Sequence, residues 1–327
     1  MRVFTDPRCL EHHPPPGLPE CSERLSAILE HLRAGGWHLE EPPSAGASER
    51  GGAPSESARR AVAAVHPDEY VERFRRSSER GDSLFDSADN PMSPGTWPAA
   101  WGAVEATLAA ADAAAAGAAA FAAIRPPGHH AERDTAMGFC WFNNVAVAAE
   151  HLRRHHGVER VAIFDFDVHH GNGTQHLFEA RADVFYASTH QFPFYPGTGA
   201  AGERGVGAGE GATLNVPLPA GTGDAGYREA VAERVIPALD AFAPDVLLVS
   251  AGFDAWRGDP LGGMRVSEEG FAVWSRLLAD LAHRRCGGRV LSLLEGGYDL
   301  TALPRLVAGH LAALAGRFDS AAGSEAD

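Results

Sequence analysis

The sequence predicts an α/β fold with a parallel sheet covered by helices on both faces, and three observations carry that prediction. Short apolar runs at 119–124, 161–166, 184–188, 245–250 and 289–294 alternate with longer helical patterns at 144–156, 227–242 and 268–285. Each run passes directly into polar or glycine-rich residues, as strands of open α/β sheets do where they end in a site. The chain has 327 residues, 45% hydrophobic and 22% charged, enough to bury one large core.

Taken in order, the remaining segments fit a single domain over 1–320. The longest apolar stretch, 103–124, is mostly alanine and carries Glu105 and Asp112, so it reads as a buried helix rather than a membrane span. The stretch 40–57 is rich in Pro, Gly and Ser and reads as a surface loop, and 321–327 as a disordered tail. No segment between them has the composition of an interdomain linker.

Composition excludes several function classes. All 28 basic residues are arginine, so a Walker phosphate loop and a lysine Schiff base, as in pyridoxal-phosphate enzymes, are both ruled out. With 43 acidic residues the net charge is −15, which argues against nucleic acid as a partner. Cys9, Cys21, Cys140 and Cys286 have neither paired nor zinc-finger spacing, so a reducing interior is expected. The N-terminus lacks the apolar core of a signal peptide. A cytoplasmic protein with no membrane partner is the expectation, and assembly into a homo-oligomer is left open.

The chemistry should lie at the strand ends. After the run 161–166, Asp165, Asp167 and His169 alternate and should project to one side, where two hard carboxylates and an imidazole suit a divalent metal. Charges that continue a buried strand are costly unless paired or metal-bound. Asp254, after 245–250, stands where a third ligand should come from, although alone it reads equally as a helix N-cap. After 119–124, Pro126, Pro127 and Gly128 would hold His129 and His130 rigidly, and paired imidazoles suit general-base work near neutral pH. Two other pairs, His12-His13 and His155-His156, lie in polar contexts and read as surface histidines. After 289–294, Gly296 and Gly297 free Tyr298 to point into a site and donate to an oxyanion, and a tyrosine packed at a sheet edge is the bland alternative.

Together the segments RPPGHHA (125–131), GFCWFNN (138–144), DFDVHHGNGT (165–174), FYPGTG (194–199), NVPLPAG (215–221), SAGFDA (250–255) and LEGGYDL (294–300) resemble the zinc-dependent histone deacetylase family, which includes acetylpolyamine amidohydrolases and bacterial deacetylase-like amidohydrolases. The resemblance implies a three-layer α/β/α, arginase/deacetylase-like fold with a mostly parallel eight-stranded sheet. It implies Zn²⁺ on Asp167, His169 and Asp254, with Fe²⁺ as an alternative for a ligand set rich in hard oxygen. His130 would be general base and then acid, His129 on Asp165 an electrostatic support, and Tyr298 the oxyanion donor. Asn172 would hold His130. A structural K⁺ would sit on Asp165, beside Asp167, His169, Ser188 and Thr189. A narrow tunnel lined by Gly138, Phe139, Tyr195 and Leu261 would admit the acetylated amine, with Asp89 at its rim.

Departures from the family pattern are informative. Asn172 stands where class I members carry aspartate, Tyr195 where phenylalanine is common, and Leu18-Pro19-Glu20 where the motif reads His-Pro-Glu. Leu261 follows Asp259-Pro260 where the polyamine-selective class II relative has glutamate, which tilts the expectation toward acetyl-lysine-like substrates. The implied activity is removal of an acetyl or other acyl group from a primary amine, with an acetylpolyamine or a small acylated metabolite as alternative substrates. Arginase-type hydrolysis needs a two-metal cluster, and Ala255 and Trp256 follow Asp254 instead of further acids. A non-catalytic binder has no need of both histidines, the ligand set and Tyr298 together.

Overall fold

The structure, a computed structural model, describes residues 1–43 and 53–316. The predicted tail at 321–327 and the middle of the loop 40–57 lie outside the described residues. The strands are β1 (Arg2–Phe4), β2 (Leu39–Glu40), β3 (Leu84–Phe85), β4 (Ser87–Pro91), β5 (Ala120–Ala122), β6 (Val161–Asp165), β7 (Val184–Gln191), β8 (Thr213–Leu218), β9 (Val246–Ala251) and β10 (Val290–Leu294). The helices are α1 (Ser22–Ala34), α2 (Glu56–Ala63), α3 (Asp68–Arg80), α4 (Thr96–Ala115), α5 (Asn144–His155), α6 (Asn172–Phe178), α7 (Asp224–Glu229), α8 (Ile236–Phe242), α9 (Glu268–Cys286) and α10 (Leu303–Leu314).

Eight strands form one sheet in the order β2-β1-β5-β10-β9-β6-β7-β8, and every pairing is parallel. The antiparallel hairpin β3–β4 stands apart from it. β6 (VAIFD), β9 (VLLVSA) and β10 (VLSLL) are buried along their whole length, as parallel strands covered on both faces must be. α1, α10, α9 and α8 pack as one helical layer, and α2, α3, α4 and α5 as the other. Among the described residues no helix is long and apolar enough to cross a membrane.

Two readings are corrected. The stretch 103–124 is not one helix: α4 ends at Ala115, the chain turns through Gly117 at φ +90°, and β5 follows. A run of alanine is compatible with either element, and the glycine decides the break. The pattern 227–242 is helical but not uniformly α, because α7 passes through a π-turn at Ala230–Val235 into α8. Pro237 in the first turn of α8 has no N–H to give back to the preceding turn, and the wider turn accommodates it.

Parallel strands put all their carboxyl ends on one edge. There β5 leads to His129, β6 to Asp167, β9 to Asp254 and β10 to Tyr298. Phe166 points away from its acidic neighbours and packs against Phe253, Phe271 and Trp274, with ring centroids 5.7–6.2 Å apart. This apolar floor fixes the height at which the polar residues leave the sheet.

Candidate active site

Asp167, His169 and Asp254 offer ligand atoms that lie within 4.8 Å of one another, and all three residues are buried. His169 Nδ1 stands 3.0 Å from Asp167 Oδ1 and 3.2 Å from Asp254 Oδ2. β6 ends at Asp165, so residues 166–169 curl instead of continuing as a strand. The curl is held by amides: Val168 N donates to Asp254 Oδ1 (2.8 Å), His169 N to Asp167 Oδ1 (2.9 Å) and Gly296 N to Asp167 Oδ2 (2.8 Å).

The donor set fits a divalent cation. Asp254 Oδ2 is buried and, apart from the His169 imidazole 3.2 Å away, has no hydrogen-bond partner among the described residues, a place that a cation would satisfy. A Cβ on Gly296 would lie 2.2 Å from that oxygen and 2.5 Å from Asp167 Oδ2, so glycine keeps this space open. Burial and the neighbouring Asp167 lift the Asp254 carboxyl to about 7, while His169, pushed down by burial, is raised to about 9 by the two carboxylates. Two buried carboxylates that crowd one another in this way call for positive charge between them.

Above this cluster lie His129 and His130, with ring centroids 4.0 Å apart. His129 Nδ1 is 3.0 Å from Asp165 Oδ2; burial opposes its charge, but Asp165 and Asp167 raise it to about 10. His130 is pushed well below its ordinary value by burial and by the charges on His129 and His169. Its Nδ1 stands 2.7 Å from Asn172 Oδ1. The Asn172 amide in turn donates to Glu132 Oε1 at 2.5 Å, so the oxygen faces His130 and Nδ1 of that ring carries the proton. One side chain is thus set to hold charge and its neighbour to stay neutral with Nε2 free.

Tyr298 lies in the glycine turn after β10. Its amide donates to Asp259 Oδ2 (2.7 Å), its hydroxyl has no protein partner among the described residues, and burial lifts its phenol far above 10. Arg24 of α1 holds this turn from behind. Its guanidinium donates to the carbonyls of Gly297 and Glu295, both at 2.6 Å, and covers the Tyr298 ring at 4.7 Å.

A pocket of about 210 Å³ leads from the surface to these groups, lined by Asp89, His130, Gly138, Phe139, His169, Tyr195, Leu261 and Tyr298. All five residues expected of the tunnel and rim therefore line it. Gly138 has φ +58°, and a Cβ there would stand 2.3 Å from the His130 ring, so only glycine lets this wall approach. At the mouth the Tyr195 hydroxyl donates to Asp89 Oδ2 (2.7 Å), which also accepts from Gly138 N (3.1 Å). Ser188 and Thr189 do not reach the pocket. They are buried on β7, Ser188 bonded to His190 and Thr189 Oγ1 without a partner among the described residues.

Some residues were not singled out from sequence. Glu295 is buried at the end of β10 and accepts from Gly128 N (2.7 Å) and Ser250 Oγ (3.0 Å), fixing the loop that carries the histidines. Its signal was present, since it is a charge continuing a buried strand, as Asp165 is. Glu20 joins Arg125 and Arg24 in a buried ion-pair group, so the change from His to Leu at position 18 leaves this local structure intact. His12, read as a surface histidine, is buried against Thr96 and Glu20, partners that only the fold brings to it, Thr96 from 84 residues away.

The histone deacetylase domain matches residues 18–314. The chain is 49% identical over 208 residues to histone deacetylase 10, chloroplastic, of Oryza sativa subsp. japonica, covering 62% of this chain and 47% of that protein, so it spans about half the relative's length. The crystal structure of the HDA15 HD domain superposes with a TM-score of 0.87 at 36% identity, covering 98% of this chain and 90% of the other. Acetylpolyamine aminohydrolase from Burkholderia pseudomallei superposes with a TM-score of 0.83 at 32% identity, covering 97% and 99%. The strand-end site and the matches along nearly the whole chain lead to one conclusion: the chain belongs to the histone deacetylase family.

Proposed function

We propose that the protein hydrolyses the amide bond of an acetylated primary amine, releasing acetate and the free amine, with Zn²⁺ held by Asp167, His169 and Asp254. The observation that carries this reading is the convergence of that ligand set, two histidines in opposite charge states and a free phenol at the floor of one narrow pocket. The cation, when bound, supplies Lewis acidity, which in such sites lowers the pKa of water from 15.7 to about 7. Fe²⁺ suits the same donors.

The chain's own residues do the rest. His130, neutral and with Nε2 free, takes a proton from the attacking water and returns it to the leaving nitrogen. His129, charged against Asp165, favours the developing negative charge without giving up its proton. Tyr298 donates its hydroxyl to the oxyanion. Phe139 and Leu261 offer apolar walls to an alkyl chain, and Asp89 accepts from a backbone N–H or an ammonium group at the rim. K⁺ beside Asp165 rests on the resemblance alone, since that carboxylate already binds Asp167 N, His129 and the Tyr186 hydroxyl.

An acetylated lysine side chain is the substrate this pocket favours, with Leu261 rather than an acid facing the bound chain. The Asp89 carboxylate at the rim supports a polyamine as the second reading. The test is a competition in which zinc-loaded protein meets equimolar acetyl-lysine peptide and N-acetylputrescine. Mass spectrometry of the two amine products gives the ratio of kcat/KM values. A ratio favouring peptide supports the first reading, and one favouring putrescine replaces it with the second.

A further inference from the structure

The His155-His156 pair, which plays no part in the pocket, belongs to a second cluster of ligand-type side chains. Asp112 in the last turn of α4, His151 in α5 and His156 at the C-terminal cap of α5 present ligand atoms within 4.8 Å of one another. Both imidazoles aim Nε2 at one carboxylate oxygen: Asp112 Oδ1 is 2.7 Å from His151 and 2.8 Å from His156. His151 is buried, whereas Asp112 is 57% and His156 29% exposed at the side chain, so the cluster has a fixed floor and an open top. The ring of His155, 5.1 Å from that of His151, is the nearest further imidazole.

The fold concentrates negative potential here. α4 leads into β5 and α5 into β6, strands of one parallel sheet, so the two helices run in the same direction and end on the same side. Two helix C-termini, each the negative end of a dipole, therefore flank the three side chains. The neighbouring cations are already paired: Arg153 with Asp183, and Arg154 with Glu150 at 3.0 Å. This is the opposite end of α5 from its N-cap Asn143, about 18 Å along a 12-residue helix, and none of its residues lines the pocket.

We propose that Asp112, His151 and His156 form a second metal site, taking Zn²⁺ and tying α4 to α5, separate from the strand-end cluster. Two imidazoles and one carboxylate select a borderline cation over Ca²⁺ or Mg²⁺, which require oxygen ligands throughout. Donors around a tetrahedral ion stand about 3.3 Å apart. Asp112 Oδ1, on the exposed side and 2.7–2.8 Å from both imidazoles, would retreat by roughly half an ångström, and water completes the shell. Among the described residues His151 Nδ1 has no acceptor behind it. Lacking that support and a second carboxylate, the site binds roughly 10- to 100-fold more weakly than one with a complete outer shell.

The test uses the zinc-loaded full chain, dialysed against buffered micromolar Zn²⁺, with bound metal counted per chain. Two equivalents are expected for the wild type and one for His156→Ala or Asp112→Asn, both exposed positions whose change leaves acetate release intact. Asp254→Asn should keep one equivalent and show a zinc-dependent rise in Tm that Asp254→Asn/His156→Ala lacks. A single equivalent in the wild type overturns the proposal, as does retention of two equivalents in both single variants, which would put the ion elsewhere.

Discussion

Tyr298 brings to the pocket a hydroxyl with no protein acceptor, on a backbone held by Asp259 and Arg24. Its loss by Tyr298→Phe removes one donor from the oxyanion without opening a cavity. Steady-state kinetics should show kcat lowered about 10²- to 10³-fold with KM little changed. An equal loss in KM would make Tyr298 a binding residue instead. Asn172 sets a second prediction. His130 lies well below its ordinary 6.5, so its neutral form persists on the acid side of neutrality. Asn172→Asp places a carboxylate on Nδ1, which favours the protonated ring, raises its pKa and moves the acid limb of the kcat/KM profile to higher pH. At this scale the sequence was most legible where a charge followed a buried strand, as at Asp165, Asp167 and Asp254. Glu132 and Glu20 gave no such sign, because their partners, Asn172 and Arg125, lie 40 and 105 residues away.

α1 contributes no group to the pocket, yet Arg24 fastens the turn after β10 through two carbonyls and Glu20. Arg24→Met leaves Glu20 and two carbonyls short of donors in a buried site. Denaturant unfolding should show a loss of about 3–5 kcal/mol, as for breaking a buried ion pair. A loss below about 1 kcal/mol, the range of an exposed pair, would show that the group is not held as described. Of the strands read from sequence, β6, β7, β9 and β10 have five or more residues buried throughout, and β5 has only three, inside a longer apolar run. β1 and β2, three and two residues long, have too few positions to show a pattern. β8 escaped because Asn215 and Pro217 break its apolar run at the edge of the sheet, where a proline is tolerated.

At the scale of the whole molecule, stability depends on buried charge. Burial pushes the Glu20 carboxyl up, but Arg125 and its neighbours outweigh this and hold it at about 2, against 4.5 in an open chain. A depressed carboxyl contributes its stability in full above the unfolded value, and the contribution is lost as pH falls from 4.5 toward 2. Unfolding followed across that window should show a loss on the order of 3 kcal/mol, and Glu20→Gln should flatten it. The parallel α/β class was legible from the alternation of apolar runs and helical patterns. The closing of four strand ends around one pocket was legible only through the family resemblance, because it depends on the crossover order of the sheet.

The central claim is that Asp167, His169 and Asp254 hold a cation with which the pocket cleaves acetylated amines. The most direct measurement is acetate release from acetyl-lysine peptide by the zinc-loaded protein, before chelation, after chelation and after zinc is restored. Release, loss of release and recovery are expected in turn, with Asp254→Ala inactive throughout. Acetate release that survives chelation, or an active Asp254→Ala protein, would contradict it.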